Sequence, residues 1–209
     1  VQLQHPVGVQ LLSGQPGSSS SLAAQLRDRT APLHCEVERR LDLPGCITNL
    51  MDYQACLQRF YKLYEPLEKS LSRFSDWPAI GVELPELLQA ARLAADLEHL
   101  GVSDFRLELA PEASLPVLPD FPHALGALYV MAGSTLGSQV ILRHLITVLG
   151  SEISGADAFF RGHGASTGAR WSRFRTSLDG YGEAEPGNGP QVIEGAKATF
   201  RAIGAWMRP

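Results

Sequence analysis

Apolar residues recur at three- and four-residue intervals along most of this chain, and no stretch alternates strictly enough for a half-buried strand. Leu22, Leu26, Leu33 and Val37 form one stripe of a helix expected over 21–41, with Ser21 as its cap. Pro32 interrupts it, so the expectation is a kink, or a fresh start with Thr30 as cap and Pro32 in the first turn. Beyond a Pro44–Gly45 turn, Tyr53, Leu57, Phe60, Tyr64 and Leu67 mark a helix over 50–73, bent at Pro66. A third helix is expected from Pro85 to Leu100, stopped by Gly101, followed by a Pro-rich connector over 102–121. A short helical piece near 156–160, a helix over 166–178 and a final helix over 190–207 complete the pattern. The Gly- and Pro-containing segment 179–190 reads as a linker. The implied architecture is all-α, seven or eight helices in one domain over 22–209, after a flexible tail over 1–21.

One stretch breaks the routine. Residues 122–150 read as a single long helix, yet Gly126, Gly133 and Gly137 lie inside it. Each interior glycine costs about 1 kcal/mol relative to alanine. Their spacing of seven and then four residues puts them on one helical face. Something approaches the backbone there, either a tightly packed helix or a flat ligand.

Charge and cysteine content narrow the setting. With 18 basic and 22 acidic residues the net charge is -4, which gives no electrostatic reason to expect nucleic acid or an anionic membrane as partner. Arg161, Arg170, Arg173 and Arg175 form the one local basic cluster of note. Cys35, Cys46 and Cys56 match neither a zinc nor a redox spacing, and Cys35 reads as a small core residue. Polar residues from Ser134 to Arg143 interrupt the most apolar stretch, so no membrane insertion is expected. A cytoplasmic protein is the expectation.

Among candidate chemical groups His34 stands first. A neutral imidazole can bind a metal through one nitrogen while the other is held by a hydrogen bond, and Glu38 lies one helical turn on. Arg27, seven residues earlier, lies where a cation meets an anionic group of a ligand. His144 falls near the glycine face and His163 in a Gly-rich bend, and no two histidines have the spacing of a structural metal site. Gly133-Ser134-Thr135-Leu136-Gly137 lacks the Gly-Lys-Ser/Thr ending of a phosphate loop. One histidine on one helix and a glycine face on another outline a slot for a flat, metal-bearing ring such as haem.

Four segments carry more than periodicity: LRDRTAPLHCEVERRL over 26–41, ALGALYVMAGSTLGSQVIL over 124–142, FFRGHGASTGARWSRFRTSLD over 159–179 and VIEGAKATF over 192–200. In this order and at these intervals the chain resembles the haem oxygenase family, most closely the bacterial branch that makes biliverdin for bacteriophytochromes. The resemblance implies a single-domain haem oxygenase-like fold with haem b, cofactor and substrate at once, between proximal and distal helices. It implies His34 as the proximal iron ligand, Glu38 as its hydrogen-bonding partner and Arg27 at a propionate. It implies Gly133 and Gly137 as the distal glycines that let backbone close over the ring. The implied reaction opens haem with O2 to biliverdin, carbon monoxide and ferrous iron, with electrons from a reductase, ferredoxin or flavodoxin-type donor.

The chain also departs from the animal members of that family. Ser134 stands where they have a catalytic aspartate, Ser138 where they have the second glycine of a pair, and Ser172 where they place an arginine at the other propionate. The Ser134 hydroxyl still donates and accepts, and is expected to hold water for proton delivery. Arg170 and Arg173 are the expected substitutes at the propionate. Loss of the aspartate keeps open a second reading, a non-degrading haem-binding sensor or storage protein. A helical partner-binding scaffold without haem is the third.

Overall fold

The computed structural model describes residues 20–207. Nearly all of the expected 1–21 tail lies outside them. Among the described residues there are eight α-helices: α1 Leu22–Leu41, α2 Leu50–Leu71, α3 Ala90–His99, α4 Phe121–Ser134, α5 Ser138–Leu149, α6 Ala158–Arg161, α7 Thr167–Ala184 and α8 Gly189–Trp206. Short 3₁₀ turns join several of them, and no strand occurs among the described residues. The all-α architecture read from the periodicity is what the structure shows.

Helix α8 is the wall on which two others lean. A Cβ placed on Gly126 of α4 would lie 1.9 Å from the Val192 carbonyl oxygen of α8, and one on Gly195 of α8 would lie 2.1 Å from the His123 carbonyl oxygen. The two backbones therefore touch at a reciprocal glycine crossing, which no side chain can enter. Helix α1 lies against α8 further along, where Gly204 faces Val37 and Arg40 Nη1 donates to the Gly204 carbonyl at 3.3 Å. The N-terminus of α1 is fixed by α7: Asp179 accepts from the Ala23 N–H at 2.8 Å, and Gly182 makes room for Leu22. Tyr53, Leu57, Phe60, Tyr64 and Leu67 of α2 fill the core.

Four boundaries differ from the sequence expectation. The 122–150 stretch is two helices, broken at Thr135–Gly137, not one. The Ser134 and Thr135 hydroxyls turn back on the Met131 and Ala132 carbonyls, both at 2.7 Å, competing with the helical ladder beside two poor helix formers. The three glycines consequently do not share one face. Helix α1 continues unbroken through Pro32, and Thr30 is no cap: it is buried mid-helix and donates to Leu26 O. Pro32 is tolerated because it and Asp28, whose carbonyl loses its donor, are on the exposed side.

The expected Pro85–Leu100 helix begins only at Ala90, because the Glu68 carboxylate from α2 accepts the Gln89 and Ala90 N–H groups and fixes the start there. The expected linker over 179–190 is largely helical, since packing against α1 carries α7 on to Ala184. Cys35 is exposed rather than core, on the solvent side of α1. Phe121–Ile153 is long and apolar enough by composition to cross a membrane, but it is broken after Ser134 and half of the relevant window is buried in the protein.

The glycine crossing gives the first test. Gly126→Ala and Gly195→Ala each push a methyl group into backbone and should cost about 3 kcal/mol or more. Gly137 has ordinary helical dihedrals, and nothing lies within 4 Å of where an added methyl group would sit. Gly137→Ala should therefore change stability by less than about 1 kcal/mol. Urea denaturation of the three variants checks the contrast; equal losses at 126 and 137 would rule out the crossing as the reason for these glycines.

Candidate functional site

On α1, His34 and Glu38 are brought together as their spacing predicts. The His34 Nδ1 lies 3.4 Å from Glu38 Oε2, and the side chain is 54% exposed. Nε2 is the ring nitrogen turned away from Glu38. Phe200 of α8 meets the imidazole edge-on at 5.6 Å between centroids and limits its rotation. Arg27, two turns earlier, pairs with Asp28 at 3.0 Å. Its charge is felt by Tyr129 of α4: burial raises the Tyr129 phenol, and Arg27 and Arg175 oppose that rise.

The α4–α5 break carries the second group of residues expected at the site. Ser134 Oγ lies 3.2 Å from the Tyr64 hydroxyl, whose own proton is held up to about 12 by burial. Ser134 donates to the Met131 carbonyl, so its oxygen is left to accept from Tyr64. Ser138 is buried and donates back to the Ser134 carbonyl at 3.4 Å, closing the turn. A Cβ on Gly133 would touch the Trp171 ring at 3.4 Å, whereas one on Gly137 would be in open space. Leu136 and Val140 follow with 46% and 59% of their surface exposed, an apolar strip beside that open glycine.

The two α7 arginines singled out from sequence sit differently. Arg170 is ion-paired with Glu86, and with Arg173 it lines a hollow of about 40 Å³ beside Gly81 and Phe174. Behind the turn, Glu68 is buried with Tyr64 one helical turn before it. Burial lifts its carboxyl from 4.5 to about 7, against the pull of the Gln89 and Ala90 N–H groups and with Glu65 adding repulsion.

This arrangement holds no bare metal ion. Among the described residues no three His, Cys, Asp or Glu side chains converge, and a single imidazole does not hold a free cation in place. It suits a metal whose other in-plane positions are already filled by a ring. The half-exposed His34 with Nε2 turned from Glu38, the open space at Gly137 and the apolar strip Leu136–Val140 are features that a flat, largely apolar ligand would use. His34, Glu38, Arg27 and Ser134 stand out from the sequence. Tyr64 does not, because the periodicity assigns it to the core like its neighbours. Nor does Tyr129, which the periodicity assigns to the helix interior.

The description "Heme oxygenase" belongs to the family model that matches residues 20–209. A search of curated proteins finds no match. Among solved structures, haem oxygenase 2 from Chlamydomonas reinhardtii without haem is similar at TM-score 0.68 and 19% identity, over 90% of this chain and 96% of that one. Haem oxygenase-1 from the cyanobacterium Synechocystis in complex with haem is similar at 0.66 and 19%, over 90% and 91%. Haem oxygenase from Leptospira interrogans is similar at 0.63 and 18%, over 90% and 98%. At such identities these likenesses establish a shared fold.

Glu68 supplies a pH test. Its folded value lies above its unfolded value of about 4.5, so its contribution to stability is fully present below that pH and is lost as pH rises through about 7. Glu68→Gln keeps an oxygen for the two N–H groups without the charge. The stability difference, variant minus wild type, should rise between pH 4.5 and 8 by up to about 3 kcal/mol. A difference that stays flat across that range contradicts the assignment.

Proposed function

The chain belongs to the haem oxygenase family, and from that premise we propose that it opens haem with O2 to biliverdin, carbon monoxide and ferrous iron, drawing electrons from a separate reductase, ferredoxin or flavodoxin-type protein. The observation that carries this reading is His34: a half-exposed imidazole on α1, steered by Glu38 at 3.4 Å and Phe200, with Nε2 left for iron. When bound, haem supplies an iron that activates oxygen and the ring that is consumed.

The chain's own residues do the rest. The His34 Nε2 lone pair is the one that would bind iron, and Glu38 beside Nδ1 would fix which nitrogen carries the hydrogen. Arg27 would meet one ring carboxylate and Arg170 or Arg173 of α7 the other, with Arg175 of the same helix as a further cation; Arg170 is also ion-paired with Glu86. Gly137, where an added methyl group would meet nothing, would let backbone lie close to the ring, with Gly133 and Ser138 shaping the turn around it. Ser134, held by Tyr64, stands where the animal enzymes have an aspartate, and its oxygen would hold water through which protons are delivered.

The GSTLG turn over 133–137 supports a place among the bacterial enzymes whose biliverdin becomes the bacteriophytochrome chromophore, and with it a cytoplasmic setting. The alternative, a non-degrading haem store or sensor, draws on the same serine. Aerobic turnover of the haem-loaded protein with a reductase and ferredoxin decides between them. Biliverdin and carbon monoxide support the proposal; a lasting Soret band without biliverdin supports storage. His34→Ala should lose normal turnover, with partial recovery on adding imidazole. Undiminished turnover in that variant would sink the axial assignment.

A further inference from the structure

Behind the α4–α5 turn, on the side of α3 and α7, lies a cavity of about 10 Å³ lined by Ala132, Thr135, Gln89, His163, Thr167 and Trp171. This is about the volume that admits one water. Two polar atoms at it are buried without a hydrogen-bond partner in the protein, His163 Nε2 and Thr167 Oγ1. Thr167 is 7% exposed.

The state of the imidazole follows from its other nitrogen. Arg92 Nη2 lies 3.1 Å from His163 Nδ1. A guanidinium only donates, so Nδ1 accepts and the hydrogen resides on Nε2, at the cavity. Burial and the charges of Arg92 and Arg170 hold His163 below the ordinary histidine value, with the Glu86 backbone and carboxylate pulling the other way. Arg92 is in turn anchored to Gln89 Oε1 at 3.2 Å, and the Gln89 N–H to Glu68 at 2.6 Å. The same Glu68 follows Tyr64 by one turn, and Tyr64 reaches Ser134. With the Glu86 backbone outside hydrogen-bonding geometry, a water in this space would give the ring N–H and the Thr167 hydroxyl the partner each lacks.

We propose that this cavity is a one-water site, and that through it His163 and Thr167 brace the Thr135 side of the turn that presents Ser134. The water site stands on the protein alone; its consequence for the site rests on the haem oxygenase reading. His163 is a positioning residue, acting through the turn.

Nitrogen-15 NMR of the protein without haem tests the first part. The His163 ring should be the Nε2–H tautomer, and that hydrogen should show a cross-peak to a long-lived water. Thr167→Val should speed its exchange about fivefold, the effect of one lost hydrogen bond, and Thr167→Ser should restore it. A hydrogen on Nδ1, or exchange unchanged in Thr167→Val, overturns the site. The second part is read on the ferric haem complex. Both Thr167→Val and His163→Phe should move the midpoint of its acid–alkaline spectral transition by roughly half a pH unit. An unmoved midpoint with the water site intact overturns the brace. Failure to take up haem at all overturns the functional reading and leaves the NMR result to decide the water site.

Discussion

Backbone contact between α4 and α8 at Gly126 and Gly195 is the constraint on which the remaining geometry rests. Two helices whose carbonyls come this close have little freedom to slide or rotate, because ridges and grooves are replaced by main chain against main chain. Since α1 leans on the same α8 through Gly204 and Phe200, the position of His34 relative to α4 is set by one helix that touches both α1 and α4. The small-residue stretch therefore divides its work. Gly126 serves packing, Gly133 gives room to Trp171, and Gly137 alone is left open.

A second device recurs around this spine: a carboxylate from one helix caps the start of another. Glu68 holds the start of α3, Asp96 of α3 accepts the Ala158 and Phe159 N–H groups of α6 at 2.8 Å each, and Asp179 of α7 accepts the Ala23 N–H of α1. Each satisfies orphan donors at a helix N-terminus and fixes the angle between elements distant in sequence. Burial of these groups carries a desolvation cost, visible in the raised values of Glu68 and Asp96. The polar groups behind the turn, from Ser134 through Tyr64 to Arg92 and His163, belong to the same scheme.

Much of the fold was legible because its signal is local. The stripe Tyr53, Leu57, Phe60, Tyr64 and Leu67 marks α2 by its period, and His34 with Glu38 share a face by theirs. What escaped was long-range. The late start of α3 depends on a carboxylate 21 residues earlier, and the extension of α7 on contact with α1. The break after Ser134 was partly visible in its Ser-Thr-Gly composition, yet a run of apolar residues on both sides outweighed it. Tyr64 carries a hydroxyl among core aromatics, and only the fold shows that Ser134 is what it meets.

The central claim is that His34 presents a neutral imidazole to iron. Resonance Raman spectroscopy of the ferrous haem complex reads that bond directly through its iron–histidine stretch. The expected result is a stretch in the range of a neutral imidazole ligand, present in the native protein and absent from His34→Ala until imidazole is added. A stretch that survives the substitution unchanged, or a thiolate-type spectrum traced to Cys35, would contradict it.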